Sequence, residues 1–286
     1  MSGQDQQLTG PRRRSPFFSH VSLQRVRQLA RSVLGPKVTI GESSVPQNEA
    51  APPDVYEALY EAHARTHSDD DVVGAGWFEL IGRRELAVLT TEGLTPESTL
   101  VDLGCGIGRM AVHAIPFLVG GHYIGTDVAP SMLERAQARI APVIPDPPCR
   151  VSWVKQEGTT FAVPDRSVDA FCAYSVFTHI EHEDAFNFLV DARRAVRPGG
   201  IFVFSCLPMD LAVSREIFLT SAARDHATRW SAVRNVTTSV DFMESIARLA
   251  GWRVRRWYNG DEENIVLDDD LHSFGQSVCV LDAAAP

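Results

Sequence analysis

The chain has 286 residues, 44% of them hydrophobic, which is ample for the core of one large domain with an extended arm. A net charge of -9 argues against a general nucleic-acid binder, because neutralising phosphates takes a concentrated basic surface. No stretch approaches the roughly 18 apolar residues of a membrane span, and the polar start MSGQDQQ lacks the apolar region of a secretory signal, so the expectation is a cytoplasmic protein without stable membrane insertion. The cysteines Cys105, Cys149, Cys172, Cys206 and Cys279 are scattered with no CxxC pair, which suits reduced thiols, and only Cys105 is expected to touch a ligand.

The first region, residues 1–53, reads as an arm and linker. Its first fifty residues hold seven basic and three acidic side chains, so this stretch is +4 and the rest of the chain is -13. Up to Pro16 it is polar, Arg-rich and aperiodic, the composition of a disordered segment. From His20 to Leu34 apolar residues recur at mostly helical spacing, with Arg25, Arg27 and Arg31 between them and Gly35-Pro36 ending the run. Such a basic amphipathic helix could lie on an anionic membrane surface; packing on its own domain or on a second subunit is the plainer use. The Pro-rich stretch 41–53 follows as a linker. Residues 54–95 read as a helical cap, with one helix from Asp54 to His67, the turn SDDD, and a segment that is helical toward its end.

The main fold is expected over 96–286. Short β-rich runs alternate with amphipathic helices: strand 99–103, helix 108–118, strand 122–126, helix 130–141, strands 151–155 and 168–174, helix 183–196, strand 201–206, helix 240–249, and strands 252–258 and 276–281. That alternation implies a doubly wound α/β fold with a mostly parallel sheet and right-handed crossovers. The last strand follows its neighbour with no helix between them and can insert antiparallel beside it.

Within this pattern, VDLGCGIGRM (101–110) joins a buried strand to a glycine-rich exit. Gly104, Gly106 and Gly108 supply permissive backbone angles and let the chain approach a ligand, as a nucleotide-like cofactor requires. Arg109 stands where a dinucleotide dehydrogenase needs a third glycine, which separates this GxGxG spacing from GxGxxG. Asp127, at the tip of the second strand in YIGTDVAPSML (123–133), is placed to accept hydrogen bonds from two ribose hydroxyls; capping the following helix is its structural alternative. Met132 falls near the start of that helix, where it would pack on adenine.

Together with QEG (156–158), SVFTHI (175–180) and RPGG (197–200), these segments resemble, in order, the motifs of class I S-adenosylmethionine (SAM) methyltransferases over about 96–281. The resemblance implies a seven-stranded, mostly parallel sheet with an antiparallel last strand and SAM as cofactor, held by Asp102, Gly104, Cys105, Gly106, Gly108, Asp127, Val128, Met132, Glu157, Gly158 and Ser175. In that register Glu157 and Gly158 meet adenine, although Glu157 replaces the commoner aspartate and equally suits an exposed loop. It also implies in-line attack of an acceptor oxygen on the SAM methyl, aided mainly by positioning and desolvation.

His179, on the loop after strand four, is the candidate general base, since imidazole titrates near neutrality; a structural histidine near the cofactor is the alternative. His182, Glu183 and Asp184 crowd the same loop but read as helix-start residues, and no metal is expected. The segment 207–239 after strand five is unusually long and, with the N-terminal helices, is the expected acceptor lid. Its His226, Arg229 and Trp230 suit a hydroxylated small molecule, a sugar, glycan or natural product, though an ordinary lid or dimer helix uses the same residues. The expected reaction is O-methylation of such an acceptor rather than of nucleic acid. An N-methyltransferase, or one acting on a lipid or macromolecule, stays open, as does a homodimer.

Overall fold

A computed structural model describes residues 55–68, 77–231 and 233–283. The expected basic helix at 20–34, the arm 1–53 of which it is part, and the SDDD turn beyond Ser68 lie outside the described residues.

The chain enters through helices α1 (Val55–Thr66) and α2 (Phe78–Thr91). The alternating part then runs β1 (Thr99–Leu103), α3 (Ala111–Phe117), β2 (His122–Asp127), α4 (Pro130–Ile140), β3 (Arg150–Lys155), β4 (Val168–Ala173), α5 (His182–Ala195) and β5 (Val196–Pro208). After β5 come α6 (Ala212–Ala222), α7 (His226–Trp230), the two-residue β6 (Thr237–Thr238), α8 (Val240–Leu249) and β7 (Trp252–Tyr258). A hairpin of β8 (Ile265–Leu267) and β9 (Asp270–His272) precedes β10 (Ser277–Ala283). That hairpin was not expected from sequence; Asp268 and Asp269 turn it with φ of 54° and 67°, a conformation aspartate tolerates.

The strands lie in the order β3-β2-β1-β4-β5-β10-β7, with β6 attached to β5. All pairs from β3 to β5 are parallel, and β10 runs antiparallel to both β5 and β7. The doubly wound sheet with its antiparallel last strand is therefore present. Side chains alternate between two cores, as a period of two requires. Phe202 and Phe204 of β5 join Phe171, Phe188 and Trp252 under α5 and α8, whereas Ile201 and Val203 join Leu89, Leu100 and Ile115 under α2 and α3. At roughly 1.5–3 kcal/mol per buried large apolar side chain, these layers fix where the strand ends stand.

The helix α2 carries a close approach. A Cβ on Gly82 would stand 2.4 Å from the Arg109 carbonyl oxygen and 2.8 Å from the His113 ring, so only glycine lets α2 settle onto the turn after β1.

Candidate active site

The carboxyl ends of β1, β2 and β4 and the two N-terminal helices enclose a cavity of about 400 Å³, within the range of small-molecule sites. It is lined by Asp102, Gly104, Cys105 and Gly106 from the first turn, Asp127, Val128 and Met132 from the second, Gly158 from the third, and Ser175 and His179 after β4. Ten of the twelve residues singled out from sequence thus meet in one place.

Two lie elsewhere. Gly108 (φ 86°) packs on α4, where an added Cβ would sit 3.2 Å from Ile140 Cδ1; its service is close helix packing. Glu157 is exposed, as the loop alternative had it, and the neighbouring Gln156 does the polar work. Buried Gln156 donates from Nε2 to the carbonyls of Gly158 (3.0 Å) and Thr160 (2.9 Å), tying the loop that forms this wall.

At the first turn Gly104 and Gly106 bring the chain close to the cavity. Gly104 has φ 67°, and a Cβ there would stand 2.5 Å from Val176 Cγ2. Asp127 spans two turns: Oδ2 accepts from the Gly106 amide and Oδ1 from the Ala129 amide, each at 2.9 Å. Burial, the largest influence, nevertheless pushes its carboxyl up to about 6 against those two donors. Each oxygen keeps a lone-pair direction for a hydroxyl donor in the cavity. Asp102 accepts from the Tyr123 hydroxyl at 2.6 Å and is pushed up to about 7, again chiefly by burial.

Sequence reasoning passed over a second set. Glu85 of α2 is 1% exposed and pairs with Arg109, whose Nε donates to Oε2 at 3.3 Å while Nη2 donates to Oε1. Burial pushes the Glu85 carboxyl up while Arg109 pulls it down. The Tyr174 hydroxyl donates to the Glu85 carbonyl at 3.0 Å, so α2, the glycine turn and the end of β4 are joined through one residue. The signal was present: Glu85 occupies the same helix face as Gly82, Val88 and Leu89, where a carboxylate has no reason to sit without a partner. Glu85, Asp102, Asp127 and Asp184 face the cavity against the single guanidinium of Arg109, a balance that favours a cationic ligand group.

From the other side α1 supplies Tyr56 and Tyr60. The Tyr56 hydroxyl donates to Asp184 Oδ2 at 2.6 Å and accepts from the Glu181 amide at 3.0 Å. Tyr60 packs on Ile107, Ala129 and Met132, and its ring meets His179 edge-on at 6.4 Å. It therefore stands between the Asp127 half of the cavity and the His179 half. Burial first, and the Asp127 charge second, hold its phenol well above the ordinary range, so it serves as a hydroxyl and not a phenolate.

His179 has its roles set by geometry. Its Nδ1 lies 2.7 Å from the Arg234 carbonyl, which can only accept, so Nδ1 carries the proton and Nε2 is the basic nitrogen. Burial lowers the imidazole below its ordinary value, which keeps it neutral near pH 7. Beside it, Ser175 adopts φ 58°, unusual for a non-glycine residue. Its amide donates to Ser205 Oγ (2.7 Å) and its hydroxyl to Gln276 Oε1 (3.3 Å), an anchoring that sustains the strain. His182 instead bonds Thr238 Oγ1 (3.1 Å) and abuts Phe242. Among the described residues no three His, Cys, Asp or Glu side chains gather as metal ligands, and all five cysteines are free thiols.

Residues 100–200 match the family model described as a methyltransferase domain. Among curated proteins, the chain is 30% identical over 106 residues to probable methyltransferase ltbC of Aspergillus luteorubrus, covering 36% of this chain and 37% of that protein. It is 27% identical over 141 residues to sterol 24-C-methyltransferase ERG6B of Gibberella zeae, covering 48% and 35%. The chain thus spans a little over a third of the length of these curated relatives. Among solved structures, magnesium protoporphyrin IX methyltransferase (ChlM) of Synechocystis PCC 6803 with bound SAH aligns with TM-score 0.56 at 14% identity, covering 79% of this chain and 95% of that one. The PH0226 protein of Pyrococcus horikoshii OT3 aligns with TM-score 0.55 at 18% identity, covering 77% and 98%. At such identities the likeness concerns the fold.

Proposed function

We propose that this chain is a class I SAM-dependent methyltransferase that transfers a methyl group from SAM to a hydroxyl of a small molecule, a sugar, glycan or natural product. The observation that carries the reading is that Asp127, Tyr60 and His179 border one cavity, with a carboxylate at one side and a neutral imidazole at the other. Asp127 would accept the ribose hydroxyls, Met132 would pack on the adenine, and the Gly158 loop would border its polar edge. When bound, SAM supplies a methyl group on a cationic sulfonium, and the carboxylate-rich wall suits that charge.

His179 receives the acceptor's proton at Nε2, because Nδ1 is already committed to the Arg234 carbonyl. Tyr56 and Tyr60 border the cavity from α1. The acceptor would approach on the His179 side, where the insertion after β5 meets this loop through Arg234 and Val236. In this reading the protein works in the cytoplasm on a small acceptor, not on nucleic acid; among the described residues no helix is long and apolar enough to cross a membrane.

The test is transfer of labelled methyl from SAM across sugar, phenolic, amine and lipid acceptors. Transfer to a hydroxylated acceptor, lowered about two orders of magnitude or more in His179→Ala at unchanged SAM affinity, is expected. Transfer only to amines, or an unchanged rate in the variant, would refute the hydroxyl and base assignments respectively.

A further inference from the structure

A second cavity, of about 910 Å³, lies between the start of α5, the helices α6 and α7, and the segment Val233–Thr237. Its charge is unlike that of the chain around it. Arg224, Arg229 and Arg234 line it with His182 and His226, against the carboxylates of Glu181 and Glu216 only. Glu181 is moreover paired with Arg234 at 3.3 Å. A chain of net charge -9 therefore presents a groove of positive sign. Apolar surface from Val213, Ile217 and Phe218 runs along α6 beside these cations.

This groove backs onto the catalytic loop. The Arg234 carbonyl holds His179 Nδ1 at 2.7 Å, and the Val236 amide donates to the Thr178 carbonyl at 2.7 Å. His179 and Ile180 line the first cavity, while Glu181 and His182, the next residues along, line the second. A molecule long enough to cross this rim would place one end at the base and the other among the guanidinium groups.

We propose that the groove is the distal part of the acceptor site and takes a carboxylate or phosphate group of the acceptor, so that the substrate is an anionic hydroxylated compound. The proposal rests on the acceptor reading above and adds the charge of the substrate. Guanidinium groups suit both anions because their paired N–H donors match two oxygens at once, and the α6 side chains give a carbon skeleton an apolar face.

The test uses the full chain and three probes that share a hexose ring and differ at C6, neutral in one and anionic in two: glucose, glucuronic acid and glucose 6-phosphate, with binding followed by calorimetry or ligand-observed NMR. The expected result is binding of at least one anion about tenfold or more tighter than glucose, weakening as salt is raised and lost by about tenfold in Arg224→Ala/Arg229→Ala. Binding of the uronate alone assigns a carboxylate, of the sugar phosphate alone a phosphate. Equal binding of all three probes, no binding of either anion, or salt-independent binding overturns the proposal; salt dependence is read on the unmodified protein, so it stands even if the double variant fails to fold. SAM affinity is measured in the same samples: its retention with no anion binding sinks only this inference, whereas its absence sinks the methyltransferase reading.

Discussion

Replacing Glu85 by alanine tests how α2 is tied to the glycine turn after β1. Arg109 keeps only 13% of its side chain exposed, so the substitution removes a paired carboxylate from a largely buried guanidinium in the cavity wall. Removing one partner of a buried pair costs about 3–5 kcal/mol; because Arg109 borders an open cavity that water can enter, the lower figure applies. For a domain of this size each kcal/mol moves the melting midpoint by about 2–4 °C, so Glu85→Ala should lower it by roughly 6–12 °C. Thermal unfolding followed by circular dichroism reads this, with Glu79→Ala on the same helix, 72% exposed, as the control. Combining Glu85→Ala with Arg109→Leu should restore part of the loss, since the buried charge that Glu85 paired with goes as well. If Glu85→Ala shifts the midpoint no more than Glu79→Ala does, the pair does not hold α2 to the turn.

Three other outcomes follow from the same geometry. Asp127→Ala should weaken SAM binding about ten- to a hundredfold by calorimetry, the worth of one or two hydrogen bonds to a charged acceptor, and unchanged affinity would return Asp127 to a mere cap. Gly104→Ala should abolish SAM binding, with partial recovery in Gly104→Ala/Val176→Ala; the second change removes the 2.5 Å clash and leaves only the cost of φ 67°. Asp102 has its folded pKa raised to about 7, so the folded state holds this proton longer than the unfolded chain and stability must fall as pH rises from about 4 to about 7. Urea midpoints at pH 5 and pH 8 should therefore separate more in the wild type than in Asp102→Asn, and an equal separation would contradict the burial argument.

Those parts of the molecule governed by local periodicity could be read from sequence. The helix at 240–249 and the strand at 252–258 stand where apolar spacing put them, and the glycine turn stands at the cavity as its composition required. What escaped was set by partners distant in the chain. Glu85 became part of the site through Arg109, 24 positions away, and Gln276 through Ser175, 101 positions away. The buried face of α2 marks Glu85 as needing a partner, but neither separation leaves a trace that names one. Glu157 and Gln156 differ by one position on an irregular loop, where no repeat tells which side chain turns inward; buried Gln156 bonds two carbonyls while Glu157 faces solvent.

The placement of β10 has a consequence for biosynthesis. Its seven residues are all buried, and it fills the gap between β5 and β7, although it is the last of these strands to be synthesised. Until Ser277–Ala283 clears the ribosome, β5 has an open edge on the side away from β4, and the Phe202 and Phe204 layer lacks Cys279 and Leu281. Gln276, at the entrance of that strand, is also the residue that anchors Ser175 and Ser205. The emerging chain can assemble its glycine turn early, but the pocket beside His179 takes final form only after translation has passed residue 283, which leaves the incomplete sheet dependent on shielding from other chains while it waits.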